Sequence, residues 1–153
     1  MKTLITTPGR LTATGLQFDS EKPSIESLRQ TALLLADLGK SLVWAIGDLL
    51  AKVDRLYPDE LDTFCEMFDL ERRTLIDYKS LAVAFPPADR NDLLPAKTHR
   101  LVRAMPRAAQ VEHLKIAVDR AESYQETRDR IKQPDPAKLR CDKCGAPLRP
   151  AQE

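Results

Sequence analysis

Apolar residues recur at helical spacing through most of residues 24–132. In residues 24–38, Ile25, Leu28, Ala32 and Leu35 share one face behind Ser24, whose hydroxyl suits an N-cap. Gly39 ends this helix and Ser41 offers the cap of the next. Leu42, Ile46, Leu49, Leu50, Val53, Leu56 and Tyr57 then form a broad stripe, with Asp48, Lys52 and Asp54 on the opposite side. Trp44 falls at the edge of the stripe and reads as core, because an aromatic body fills a helical interior efficiently. The stripe also suits a dimer interface. Pro58 closes the helix.

Residues 61–85 carry two shorter patterns. Leu61, Phe64, Cys65 and Phe68 lie at i, i+3, i+4 and i+7, and Leu75, Tyr78, Leu81, Ala82 and Phe85 repeat that spacing. Between them, Phe68-Asp69-Leu70 predicts a sharp turn with Asp69 in a left-handed conformation and Leu70 dropping into the core. Glu71 then sets a carboxylate at the positive end of the following helix. This is the pattern of a helix-turn-helix, whose second helix can enter the DNA major groove. Two helices on a tight turn also occur in all-α domains that touch no nucleic acid.

Off the apolar face of the second helix stand Arg72, Arg73, Ile76, Asp77, Lys79 and Ser80. Arginine can bond guanine bidentately and aspartate can accept from cytosine N4. Pro86-Pro87 ends the helix and Pro95 starts another. Residues 96–107 contain Lys97, Arg100, Arg103 and Arg107 and no acid, with Leu101, Val102 and Met105 on the buried side. Phosphate contact is the natural use of such a patch. By contrast, residues 59–70 hold Asp59, Glu60, Asp62, Glu66 and Asp69 and no base, a face that would have to point away from phosphate. Pro106 opens a helix with Val111, Leu114, Ala117 and Val118 inward, and a polar helix over about 125–132 follows Tyr124.

Composition adds limits. The 153 residues suffice for one compact domain with a tail, and 5 glycines leave little for phosphate-cradling loops. The helix formers Leu, Ala and Arg are abundant, so the expected class is all-α, a multi-helix domain over 24–132. Residues 1–23, with Pro8-Gly9 as a turn signal, predict a short N-terminal arm or hairpin. The net charge of +1 means that any nucleic-acid face must arise from uneven placement of charge. No apolar run reaches the roughly 20 residues that span a bilayer, and the start lacks a secretory core, so a cytoplasmic protein without membrane partners is expected. His99 and His113 belong to no catalytic or metal-protease pattern, and no phosphate loop or nucleophile constellation appears. The expectation is a non-enzyme without a small-molecule substrate.

After residue 133 the chain becomes proline-rich and contains Cys141-Asp142-Lys143-Cys144-Gly145. Such a turn aims two thiolates at one metal, but structural zinc takes four ligands and no second pair follows. The simplest closure is a zinc ion shared by Cys141 and Cys144 of two subunits. Closure by Cys65 or a histidine, or a metal-free tail, are the alternatives.

From about residue 14 to residue 131 the chain resembles a family of helical DNA-binding proteins of bacteria, plasmids and phages. Its helix-turn-helix is similar to that of the ParB and KorB partition proteins. The likeness rests on Gly15-Leu16-Gln17-Phe18, Trp44-Ala45-Ile46-Gly47-Asp48-Leu49-Leu50 and Leu70-Glu71-Arg72-Arg73-Thr74-Leu75-Ile76-Asp77-Tyr78. Val83-Ala84-Phe85, Arg90 and Thr98-His99-Arg100-Leu101-Val102 continue it. Asp69 stands where such proteins usually have glycine at the turn. The resemblance implies site-specific duplex DNA binding and a regulatory or maintenance role in a mobile element. A homodimer is expected, since one reading helix covers only a half-site. The competing expectation is a protein-interaction module, such as a phage-encoded inhibitor or adaptor, using the acidic 59–70 face.

Overall fold

The computed structural model describes residues 4–6, 9–12, 14–38 and 42–133. They form three short strands followed by seven α-helices: β1 (Leu4–Thr6), β2 (Gly9–Thr12), β3 (Gly15–Phe18), α1 (Ile25–Leu38), α2 (Val43–Leu56), α3 (Leu61–Glu66), α4 (Arg72–Ala84), α5 (Ala96–Val102), α6 (Arg107–Asp119) and α7 (Tyr124–Lys132). Single 3-10 turns at Pro58–Glu60 and Pro87–Asp89 precede α3 and follow α4. None of the described helices is long and apolar enough to cross a membrane.

The chain is mostly helical, but not wholly so. The strands form an antiparallel sheet in the order β1-β2-β3, with Leu4 opposite Leu11 and Leu11 opposite Leu16. So small a sheet is marginal in water by itself. It docks on α2, where Leu16 is buried and its N–H donates to Asp48 Oδ2 at 2.9 Å.

α2 is the central helix, and α4 lies along it. Gly47 makes this possible, since a Cβ there would collide with the Tyr78 carbonyl oxygen and sit 2.9 Å from Ala82 Cβ. One apolar cluster joins β3, α1, α2, α3 and the first half of α4 through Leu28, Leu35, Leu49, Leu50, Phe64 and Leu75. A second joins the end of α4 to α5 and α6 through Leu81, Phe85, Val102, Leu114 and Ala117. Trp44, Phe85 and His99 pack edge-on beside it, with centroid separations of 5.1–6.4 Å.

Arg90 lies among these elements with its side chain 0 % exposed. Its Nε donates to the Phe85 carbonyl (2.7 Å), and Nη1 to Thr14 O (2.6 Å) and Asp48 Oδ2 (2.8 Å). Nη2 donates to Asp48 Oδ1 (2.5 Å) and Ala82 O (3.3 Å), so all five guanidinium N–H groups have an acceptor. The fork lies 4.4 Å from the Trp44 ring centroid and cancels the negative end of α4. Gly15, at φ +140°, leaves room for the pair, because a Cβ there would strike Asp48 Oδ2 and Arg90 Nη1.

Several expectations are corrected here. Asp48, assigned to the solvent side of α2, is nearly buried, because the N-terminal sheet covers that side. Asp69 does not adopt a left-handed conformation; among described non-glycine residues only Ala121 has positive φ, 50°. The chain instead leaves α3 by three-residue spacing, Met67 N–H to Phe64 O and Phe68 N–H to Cys65 O, each 3.2 Å. A tighter turn follows, Leu70 N–H to Phe68 O at 2.8 Å, which reverses direction without a left-handed residue. The helix that Pro95 starts ends at Val102, and buried Gln110 of the next helix donates to the Arg103 and Met105 carbonyls at 3.1 and 2.9 Å. Val111, expected inward, is 53 % exposed. Gly39, Ser41, Cys141 and Cys144 lie outside the described residues.

Candidate nucleic-acid interface

α4 has two unlike sides. On the inner side Leu75, Leu81 and Ala82 are buried, and Lys79 Nζ reaches across to Asp54 Oδ2 on α2 at 2.6 Å. On the outer side Arg72, Arg73, Ser80 and Val83 are exposed, with Val83 at 65 %. At 100° per residue these four fall within one sector of the helix. The Arg90 contacts at one end and Gly47 in the middle hold the helix against α2 from behind.

The residues expected to contact DNA differ in their surroundings. Arg72 is paired with Asp62 on α3, both Nε and Nη2 lying 2.8 Å from Oδ1. That carboxylate holds the guanidinium proton more tightly than usual. Arg73 is exposed and makes no side-chain bond or ion pair among the described residues. Ile76 is half-buried and packs against the first apolar cluster. Ser80 donates back to the Ile76 carbonyl at 2.8 Å.

Asp77 binds both arginines of the α5 region. Oδ2 lies 2.7 Å from Arg100 Nη2 and Oδ1 lies 2.7 Å from Arg103 Nη1. Lys97 and Arg100 are exposed on α5 and Arg103, its C-cap, is half-exposed, while Thr98, His99 and Val102 are buried. Lys97 Nζ stands 4.9 Å over the Tyr124 ring of α7, and Arg107 pairs with Asp89. The stretch that lacks acids in sequence therefore finds them in space, from α4 and from the 3-10 turn after it.

Three arrangements escaped the reading of sequence. His99 is fully buried; its Nε2 accepts from the Asn91 N–H at 3.2 Å, so Nδ1 carries the proton toward the Pro95 carbonyl at 3.3 Å. Burial pushes its pKa below the ordinary value, with the Arg90 charge adding to the effect. A Glu122–Arg130 pair (2.9 Å) and an Arg130–His113 contact (2.7 Å) tie α7 to α6. Ser123 and Glu126 form a reciprocal capping box at the start of α7, and the Ser-x-x-Glu spacing was the available signal.

As to metal, no group of three or more His, Cys, Asp or Glu residues suited to an ion occurs among the described residues. Cys65 is a buried free thiol, and burial raises its pKa, which disfavours the thiolate that metal binding needs. Neither a family model, a curated protein nor a solved structure matches the chain.

Proposed function

We propose that this protein binds duplex DNA site-specifically, with α3 and α4 acting as a helix-turn-helix and α4 as the reading helix. The observation that carries the reading is the two-sidedness of α4. Its inner side is fixed on α2, and its outer side presents Arg72 and Arg73 in the first turn, the part of a reading helix that meets base edges, with Ser80 on the same side two turns further on. Arg73 is the leading base-reading candidate, because no carboxylate engages it. Arg100, Arg103 and Lys97 supply phosphate contacts beside it. Together with the ParB- and KorB-like sequence pattern, this fits a dimeric cytoplasmic regulator or maintenance factor of a phage, plasmid or other mobile element.

Selection from a random duplex pool tests this directly. Binding should weaken steeply with salt, by about 0.9 in log affinity per log salt for each phosphate neutralised. Arg73→Ala should reduce discrimination between the selected site and random DNA by roughly 1–3 kcal/mol. Arg100→Ala should weaken both about equally. Absence of duplex binding at low salt, or a flat salt response, rejects the proposal.

One observation favours the rival reading of a protein-interaction module. Asp62, Asp77 and Asp89 already pair with four of the expected DNA-contacting arginines, and Asp59, Asp62 and Glu66 are exposed on and beside α3. In that case the selection experiment returns no enriched sequence. Zinc shared by Cys141 and Cys144 of two chains belongs to the dimer proposal. One zinc per two chains, with chelation loosening the dimer but not the helical fold, is the expected result.

A further inference from the structure

We propose that Asp77 reads no base, and instead positions Arg100 and Arg103 as a clamp for the phosphodiester backbone. The proposal rests on the DNA-binding reading and assigns a role within that surface. Asp77 projects from the α4 turn that follows Arg73, and each of its two oxygens is occupied by a different guanidinium at 2.7 Å. Arg103 donates to this carboxylate through Nη1, and Arg100 approaches it through Nη2. An arginine fork has five N–H donors, so most of each fork remains for another acceptor.

Two guanidiniums side by side repel one another, and both side chains lose rotamer freedom when held in place. The carboxylate between them offsets the repulsion and fixes their orientation before any ligand arrives. Two positive groups against one negative group still leave the cluster cationic. The three side chains are 30–41 % exposed, reachable by a phosphate but partly sheltered from water. The backbone beneath is fixed as well, because buried Gln110 holds the carbonyl of Arg103 at 3.1 Å. A planar fork aimed in advance is the arrangement that suits bidentate phosphate recognition.

The alternatives predict opposite signs. If Asp77 were merely an acid near DNA, removing its charge would tighten binding. If it read cytosine, removing its charge would lower discrimination and leave random DNA unaffected. As a positioning residue, Asp77→Asn should weaken binding to selected and random duplexes alike, by roughly tenfold. It should also flatten the salt dependence by about one phosphate contact, a change that a loss of fold stability would not produce. Asp77→Glu should recover part of the affinity. In the Asp77→Asn background Arg100→Ala should cost less than in the native protein, because the clamp is already loose.

The assay is fluorescence anisotropy of a labelled mixed-sequence duplex and of the selected site, across a salt series. Thermal melting of each variant checks that it is folded. Equal or tighter binding by folded Asp77→Asn overturns the clamp while leaving DNA binding intact, and so does a loss confined to discrimination. Absence of duplex binding by the native protein overturns both proposals at once.

Discussion

Replacing Arg90 by methionine, a residue of similar length without charge or donors, tests the fold at its most connected point. The substitution strands the Asp48 carboxylate, whose side chain is 10 % exposed, and removes donors from the Thr14, Ala82 and Phe85 carbonyls. Breaking a buried pair by removing one partner costs roughly 3–5 kcal/mol. Set against a total stability of roughly 5–15 kcal/mol, that is a large fraction. A fall in Tm on the order of 10–20 °C is expected for a domain of this size.

Burial already pushes the Asp48 carboxyl above its ordinary value near 3.8, with Arg90 as the main counterweight, so the variant should push it higher still. A carboxyl raised in the folded state favours folding below its unfolded value and loses that contribution as pH rises through the folded value. Arg90→Met should therefore regain stability on acidification more than the native protein does. Urea unfolding of Arg90→Met, Asp48→Leu and the double variant gives the coupling. The double variant should cost clearly less than the two singles added, since it leaves no buried charge alone. Additive losses, or an Arg90→Met variant within about 1 kcal/mol of the native protein, would refute the argument.

Gly47→Ala should destabilise by roughly 1–3 kcal/mol in denaturant melts, despite alanine's better helix propensity, because the new Cβ meets α4 backbone. Ala121→Gly should stabilise by roughly 0.5–1 kcal/mol. Ala121 sits at φ 50° where α6 ends, with Glu122 N–H bonded to Ala117 O and Ala121 N–H to Val118 O. His99, held neutral by burial, should make the fold lose stability as pH falls from its unfolded value near 6.5 toward its depressed folded value. His99→Gln keeps a donor and an acceptor there, and pH-resolved melts should show that slope removed.

Periodicity carried most of the helical architecture, because amphipathic helices write their buried face into local spacing. Ile25–Leu38, with Ser24 accepting from the Ser27 N–H at 3.2 Å, matches its expected cap and face. Errors arose where a distant segment changed the environment. Asp48 looks solvent-facing on α2 alone, and only the sheet and Arg90, 42 residues later, bury it. The acid-free stretch 96–107 looks strongly basic because Asp77 and Asp89 lie outside it. Gly47 inside an otherwise strong helical stripe was a legible sign of close packing. The path through Asp69 was not legible, since aspartate permits both the left-handed turn and the one observed.

The Arg90–Thr14 bond also bears on synthesis. Its partners are 76 residues apart, so the strands leave the ribosome long before the arginine that anchors them. At roughly 5–20 residues per second the delay is roughly 4–15 s. During that time the sheet can lean on α2, but the Asp48 carboxylate beneath it has no Arg90 guanidinium to pair with. Slower translation through the segment between α2 and Arg90 lengthens the interval in which that carboxylate is without its partner.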